Sequence, residues 1–154
     1  MKKIILLTIT FIAISLAGQA QVEPHAIGLR FGGGNFGGGA ELNYLHGIGD
    51  ANRVELGLGI NSLNGGSYMS ITGVYQWIFE LEQGFSWYAG PGARLLLVSN
   101  ASAIMVGGEI GAEYNFNTEL DVPLQVSLST RPMFNIGDGD GFGWGIALGV
   151  HYTF

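Results

Sequence analysis

From residue 25 onward, apolar and polar side chains alternate with a period of two, and clusters of Gly, Asn and Asp interrupt the alternation. That is the signature of strands joined by turns. Eight segments fit: 25–32, 40–46, 53–60, 68–79, 85–97, 104–116, 123–134 and 142–154. Short connections separate them, which favours antiparallel neighbours. No stretch carries a helical apolar stripe.

The two phases of the alternation differ sharply. One carries Ile27, Leu29, Phe31, Leu42, Tyr44, Leu56, Leu58, Ile60, Met69, Ile71, Trp77, Ile110, Leu128, Ile146, Leu148, Val150, Tyr152 and Phe154. The other carries Arg30, Glu41, Asn43, Arg53, Glu55, Thr72, Gln76, Arg94, Glu109, Glu113, Gln125, Ser127, Ser129, Arg131 and His151, with many glycines. Every charge assigned to a strand falls on the second phase. A soluble sheet would turn the apolar phase inward and normally display Lys outward, but no Lys follows residue 3. The alternative inverts the pattern, with apolar side chains against lipid and polar ones in a narrow lumen. Lipid offers no partner to an unpaired backbone group, so such a sheet must close. The predicted fold is therefore an all-β, eight-stranded antiparallel up-and-down transmembrane barrel.

Aromatic placement tests this independently. With the N-terminus in the periplasm, the periplasmic rim receives Tyr44, Trp77, Phe79, Phe85, Trp87, Tyr114, Phe116, Tyr152 and Phe154. The outer rim receives Phe31, Phe134, Phe142 and Trp144. Two interfacial girdles result.

Composition sharpens the picture. The chain has 154 residues, 27 Gly, no Cys, 12% charged residues and a net charge of −6. Without Cys there is no disulfide scaffold, thiolate metal site or Cys nucleophile. Lys2 and Lys3 precede the apolar run Ile4–Leu16, and Gly18-Gln19-Ala20 supplies small residues for cleavage. Residues 1–20 thus read as a secretory signal cut after Ala20, leaving residues 21–154 as one domain. That domain holds four arginines, Arg30, Arg53, Arg94 and Arg131, against all twelve acids. It has no basic patch for nucleic acid.

The sequence at this point resembles the small eight-stranded outer-membrane β-barrel proteins of Gram-negative bacteria, the OmpA/OmpX-like class. Gly149, Tyr152 and Phe154 match the Gly-x-x-aromatic-x-aromatic ending that this class presents to the barrel-assembly machinery. The run Trp87-Tyr88-Ala89-Gly90-Pro91-Gly92-Ala93 looks like one seen in uncharacterised members. The resemblance implies a cell-outer-membrane location, lipid and the assembly machinery as partners, and a structural or envelope-interaction role. Short outer loops speak against adhesion.

Some barrels of this kind modify lipid A with a His and Ser pair near the outer rim. Here His25, His46 and His151 all fall at the periplasmic end, and no nucleophile–base–orienter set can be named. No enzyme activity, cofactor or metal is expected, and His151 is expected to hydrogen-bond inside the lower lumen. A narrow, porin-like pore is the other alternative, disfavoured because Arg, Glu and Gln fill an eight-stranded lumen. Lumen charges must pair. Reflection about the hairpin turns predicts an Arg94–Glu109–Arg131 cluster and an Arg30–Glu41 pair. Residues 32–39 read as a flexible outer loop. Asp138-Gly139-Asp140-Gly141 reads as a polar turn and not a calcium loop, lacking the further acids. The protein is expected to be monomeric.

Overall fold

The computed structural model describes residues 24–137 and 141–154. The signal segment with its Ala20 cleavage site, and most of the Asp138–Gly141 turn, lie outside the described residues.

The chain folds as a closed antiparallel barrel. Its strands are β1 (His25–Gly34), β2 (Gly37–Gly47), β3 (Asn52–Leu63), β4 (Gly66–Glu82), β5 (Phe85–Val98) and β6 (Ala101–Asn115). Two further staves are each broken in two: β7 (Leu124–Thr130) with β8 (Met133–Asn135), and β9 (Phe142–Gly143) with β10 (Gly145–Thr153). From β1 to β6 each strand pairs with the next, β6 pairs with both β7 and β8, β8 pairs with β9 and β7 with β10, and β10 pairs with β1 to close the circle, Leu29 opposite Val150 and Phe31 opposite Leu148. Because the number of staves is even, the start of β1 and the end of β10 share one end of the barrel, called here the termini end.

Proline accounts for one break. Pro132 has no N–H to give the ladder, so pairing lapses between Thr130 and Met133. Pro91 does the same on one side of β5. The β5 ladder with β6 runs through it, Pro91 opposite Gly108, whereas the ladder with β4 skips from Val74–Gly92 to Trp77–Ala89.

Strands β1 to β6 are longer than their alternation indicated, and the turns between them tighter. Residues 32–39 are an ordered hairpin and not a flexible loop. Gly32, Gly33 and Gly34 pair with Gly39, Gly38 and Gly37 around a two-residue turn. The ladder supplies what glycine's weak strand preference lacks. Likewise β3 and β4 meet at Asn64-Gly65, with φ of 52° and 82°. Two left-handed residues in a row are what a type I′ hairpin turn requires, and Asn-Gly is its favoured sequence. One helical turn, α1 (Asn117–Leu120), lies between β6 and β7 at the termini end, where only an irregular turn was expected.

Polarity is inverted relative to a soluble protein. Leu58, Ile60, Met69, Leu128 and Ile146 are more than half exposed on the outer surface. Arg30, Glu41, Arg53, Glu55, Glu109, Glu113 and Arg131 are buried inside. Aromatic pairs ring the two ends. At the termini end Phe79 stacks on Trp87 at 4.4 Å and Tyr114 meets Phe116 edge-on at 4.8 Å. At the opposite end Phe134 lies 5.0 Å from Phe142.

Candidate functional site

The chemistry of this chain is concentrated in its lumen. Alternate residues of each strand point inward, and they converge because an eight-stranded barrel is only wide enough for side chains to fill. Arg131 stands at the β7–β8 break and reaches three carboxylates. Its Nε donates to Glu109 at 2.9 Å, its Nη1 donates to Glu41 at 2.8 Å, and its Nη2 donates to Glu55. Arg30 donates to Glu109 at 2.6 Å, to Ser129 at 2.6 Å and more weakly to Glu55 at 3.4 Å. Lower down, Arg53 clamps Glu113 through both terminal nitrogens, at 3.0 and 2.5 Å. Its guanidinium also lies 5.0 Å from the ring centre of Tyr88.

Neutral groups complete the network. Asn43 donates to Glu41 at 2.9 Å and to Glu55 at 2.6 Å. Gln76 donates to Glu55 at 2.7 Å and accepts from Arg53 at 2.6 Å. Four arginines therefore face four glutamates, Glu41, Glu55, Glu109 and Glu113, and the formal charge of the set is zero. Full pairing is what makes so many ions tolerable out of water.

The expected residues all reach the lumen, but two of the expected pairings do not form. Arg94 does not meet Glu109. Reflection about the turn placed it close by, whereas the true register sets Arg94 opposite Met105 and Glu109 opposite Gly90. Arg94 instead crosses the barrel to Glu41 at 3.3 Å and donates to Thr72 at 3.1 Å. Arg30 and Glu41 are direct cross-strand neighbours. Their side chains nevertheless run past each other, Arg30 to Glu109 and Glu41 to Arg131 and Arg94. Arg131 and Glu109 do meet. Sequence reasoning placed Arg53, Glu55 and Glu113 on the inner phase without grouping them, and missed Tyr88. The available signal for Tyr88 was its parity, one residue out of step with outward Trp87.

His151 is buried and inward but makes no hydrogen bond to the described residues, contrary to expectation. Its ring lies over Gly28 and Gly149, where an added Cβ would come within 2.7 Å of ring carbons. Gly149 thus makes room inside the barrel, while Tyr152 on β10 and Phe154 just past its end are exposed outside, stacked at 6.2 Å. The Phe154 amide donates to the His25 carbonyl at 2.9 Å, fastening the closing seam. Among the described residues no group of three or more His, Cys, Asp or Glu side chains could hold a metal.

The end opposite the termini opens into a small cleft floored by Arg30, Arg94, Arg131 and Glu41 and walled by Tyr68 and Phe36. Arg94 is the most accessible of the lumen arginines, its side chain 19% exposed.

No family model matches the sequence, and no curated protein matches it. Solved structures match its shape. One described as de novo design of transmembrane β-barrels superimposes with a TM-score of 0.62 at 14% identity, over 88% of this chain and 99% of that one. Neisserial surface protein A gives 0.59 at 12% identity, over 84% and 96%. The N-terminal β-barrel domain of Pseudomonas aeruginosa OprF gives 0.54 at 19% identity, over 84% and 97%. The fold of this chain is that of the small eight-stranded outer-membrane barrels.

Proposed function

We propose that this chain is an integral outer-membrane protein, exported by residues 1–20, cleaved after Ala20 and inserted as a monomeric barrel of residues 21–154. Its role is structural or one of interaction within the envelope, without enzymatic activity or cofactor. Lipid is its outer contact, and the assembly machinery, reading Gly149, Tyr152 and Phe154, is its partner during insertion. The observation that carries this reading is the inverted polarity: a closed barrel with exposed Leu, Ile and Met outside and paired Arg and Glu inside. Only a lipid environment makes that outer surface favourable. Fractionation and heat-modifiable gel mobility test it. A band in the outer membrane that shifts on boiling is expected, and recovery from the soluble periplasm without detergent would overturn the assignment.

The ion-paired lumen also supports a plugged barrel over a pore. Arg131 and Arg30 meet glutamates from several other strands across the interior. Planar-bilayer recordings should show no sustained large conductance steps. A lipid-modifying activity would need a His and Ser pair at the cleft end, whereas His25, His46 and His151 all sit toward the termini end.

A further inference from the structure

We propose that His25 and His46, with the Tyr44 hydroxyl, form a binding site for a divalent transition metal on the outer face of the barrel at its termini end. His25 opens β1 and His46 stands directly opposite it on β2. The neighbouring pair exchanges a ladder bond, Gly47 N–H to the Pro24 carbonyl at 3.0 Å. His25 and His46 therefore occupy a non-hydrogen-bonded position, where cross-strand side chains approach most closely. Their rings stack at 5.1 Å between centres, 23° from parallel. The two Nδ1 atoms face each other at 3.2 Å. Two residues before His46, on the same face of β2, Tyr44 brings its hydroxyl to 2.9 Å from the same Nδ1 of His25.

That convergence is over-subscribed as a set of hydrogen bonds. An imidazole Nδ1 has either one proton or one lone pair, yet His25 Nδ1 faces two polar partners at bonding distance. A cation resolves the conflict, since each atom can offer its lone pair to the same centre. The spacings suit this. Metal–nitrogen bonds of about 2.0–2.1 Å put neighbouring ligand atoms about 2.9 to 3.4 Å apart, from octahedral to tetrahedral. Two imidazoles and an oxygen select Zn²⁺, Cu²⁺ or Ni²⁺ over Ca²⁺ or Mg²⁺, which prefer all-oxygen sets. His46 is exposed, so an ion can enter from water, which fills the remaining positions. The Phe154 ring, 5.6 Å from His25, backs the site from the closing strand. The site would join β1 and β2 by a bridge independent of the lumen network.

The test is calorimetric titration of ZnCl₂ into the folded, detergent-solubilised chain without a histidine tag. One saturable Zn²⁺ per chain is expected. His25→Ala and His46→Ala should each weaken uptake about tenfold or more, in samples whose unboiled gel mobility shows a folded barrel. Cu²⁺ electron paramagnetic resonance on the unaltered protein gives a readout independent of any variant, with hyperfine structure from two nitrogens expected. Absence of saturable uptake by the unaltered chain, a Cu²⁺ spectrum without nitrogen coupling, or undiminished uptake by the folded double variant would each overturn the proposal.

Discussion

Glu109 illustrates how a single residue carries weight in this lumen. Its side chain is fully buried, and it accepts from Arg30, Arg131, Gln76 and Tyr88. Glu109→Ala removes the shared acceptor of two buried guanidinium groups and leaves both short of negative charge. The expected loss is about 3–5 kcal/mol, the usual consequence of stranding a buried ion. Urea unfolding in detergent, followed by tryptophan fluorescence, measures it, and an unchanged midpoint would refute the role. Gly111 makes the complementary point about space. A Cβ there would stand 2.5 Å from Tyr88 Cζ and 2.7 Å from Ser129 Cβ. Gly111→Ala should therefore destabilise by about 1–3 kcal/mol through overpacking, read by the same assay. At this scale the sequence was partly legible. Alternation alone told which residues point inward, and hairpin reflection found Arg131 with Glu109. It could not find Arg94 with Glu41 or Arg53 with Glu113. These pairs span non-adjacent strands, and their meeting depends on barrel curvature and on a register that turn composition does not fix.

Among the elements, the broken eighth stave depends on a residue outside it. Asn35, in the β1–β2 turn, accepts from the Trp144 amide at 2.7 Å. Its side chain also donates to the Phe142 carbonyl at 3.0 Å, and its amide donates to the Trp144 carbonyl at 3.2 Å. Asn35 thus occupies the gap between β9 and β10 and continues the closing seam past the point where the ladder stops. Asn35→Ala removes two of those bonds at an exposed site, costing about 1–2 kcal/mol. The consequence should be local. Proteolysis near residues 141–145 should accelerate, with a fall in urea stability no larger than that cost, and unchanged proteolysis would show that the seam holds without Asn35. The strands themselves were legible in number, order and direction. Their ends were not, because glycine-rich flanks read as loops. Gly32, Gly33 and Gly34 are held in β1 by pairing on both sides, a tertiary effect that local propensity does not encode. The interruptions at Pro91 and Pro132 follow from the missing N–H.

For the whole molecule, the decisive quantity is the medium around the barrel, and one substitution distinguishes the two candidates. Leu58 lies in the middle of β3, 57% exposed, with Leu56 and Ile60 beside it on the same outer face. If water surrounded the barrel, Leu58→Arg would replace an exposed apolar group by a solvated charge. Stability would then change by no more than about 0.5 kcal/mol, as for surface substitutions generally. If lipid surrounds it, the same change places a guanidinium in hydrocarbon, and the cost rises to about 2–4 kcal/mol near the bilayer midplane. Depth adds a second signature. The corresponding change at the rim, Trp144→Arg, should cost less than about 1 kcal/mol, because the side chain there meets headgroups and water. Unfolding of both variants from liposomes supplies the comparison. A cost that is large at Leu58 and small at Trp144 is expected of a barrel spanning the bilayer. Equal, small effects at the two positions would place the exposed apolar belt in some environment other than a membrane.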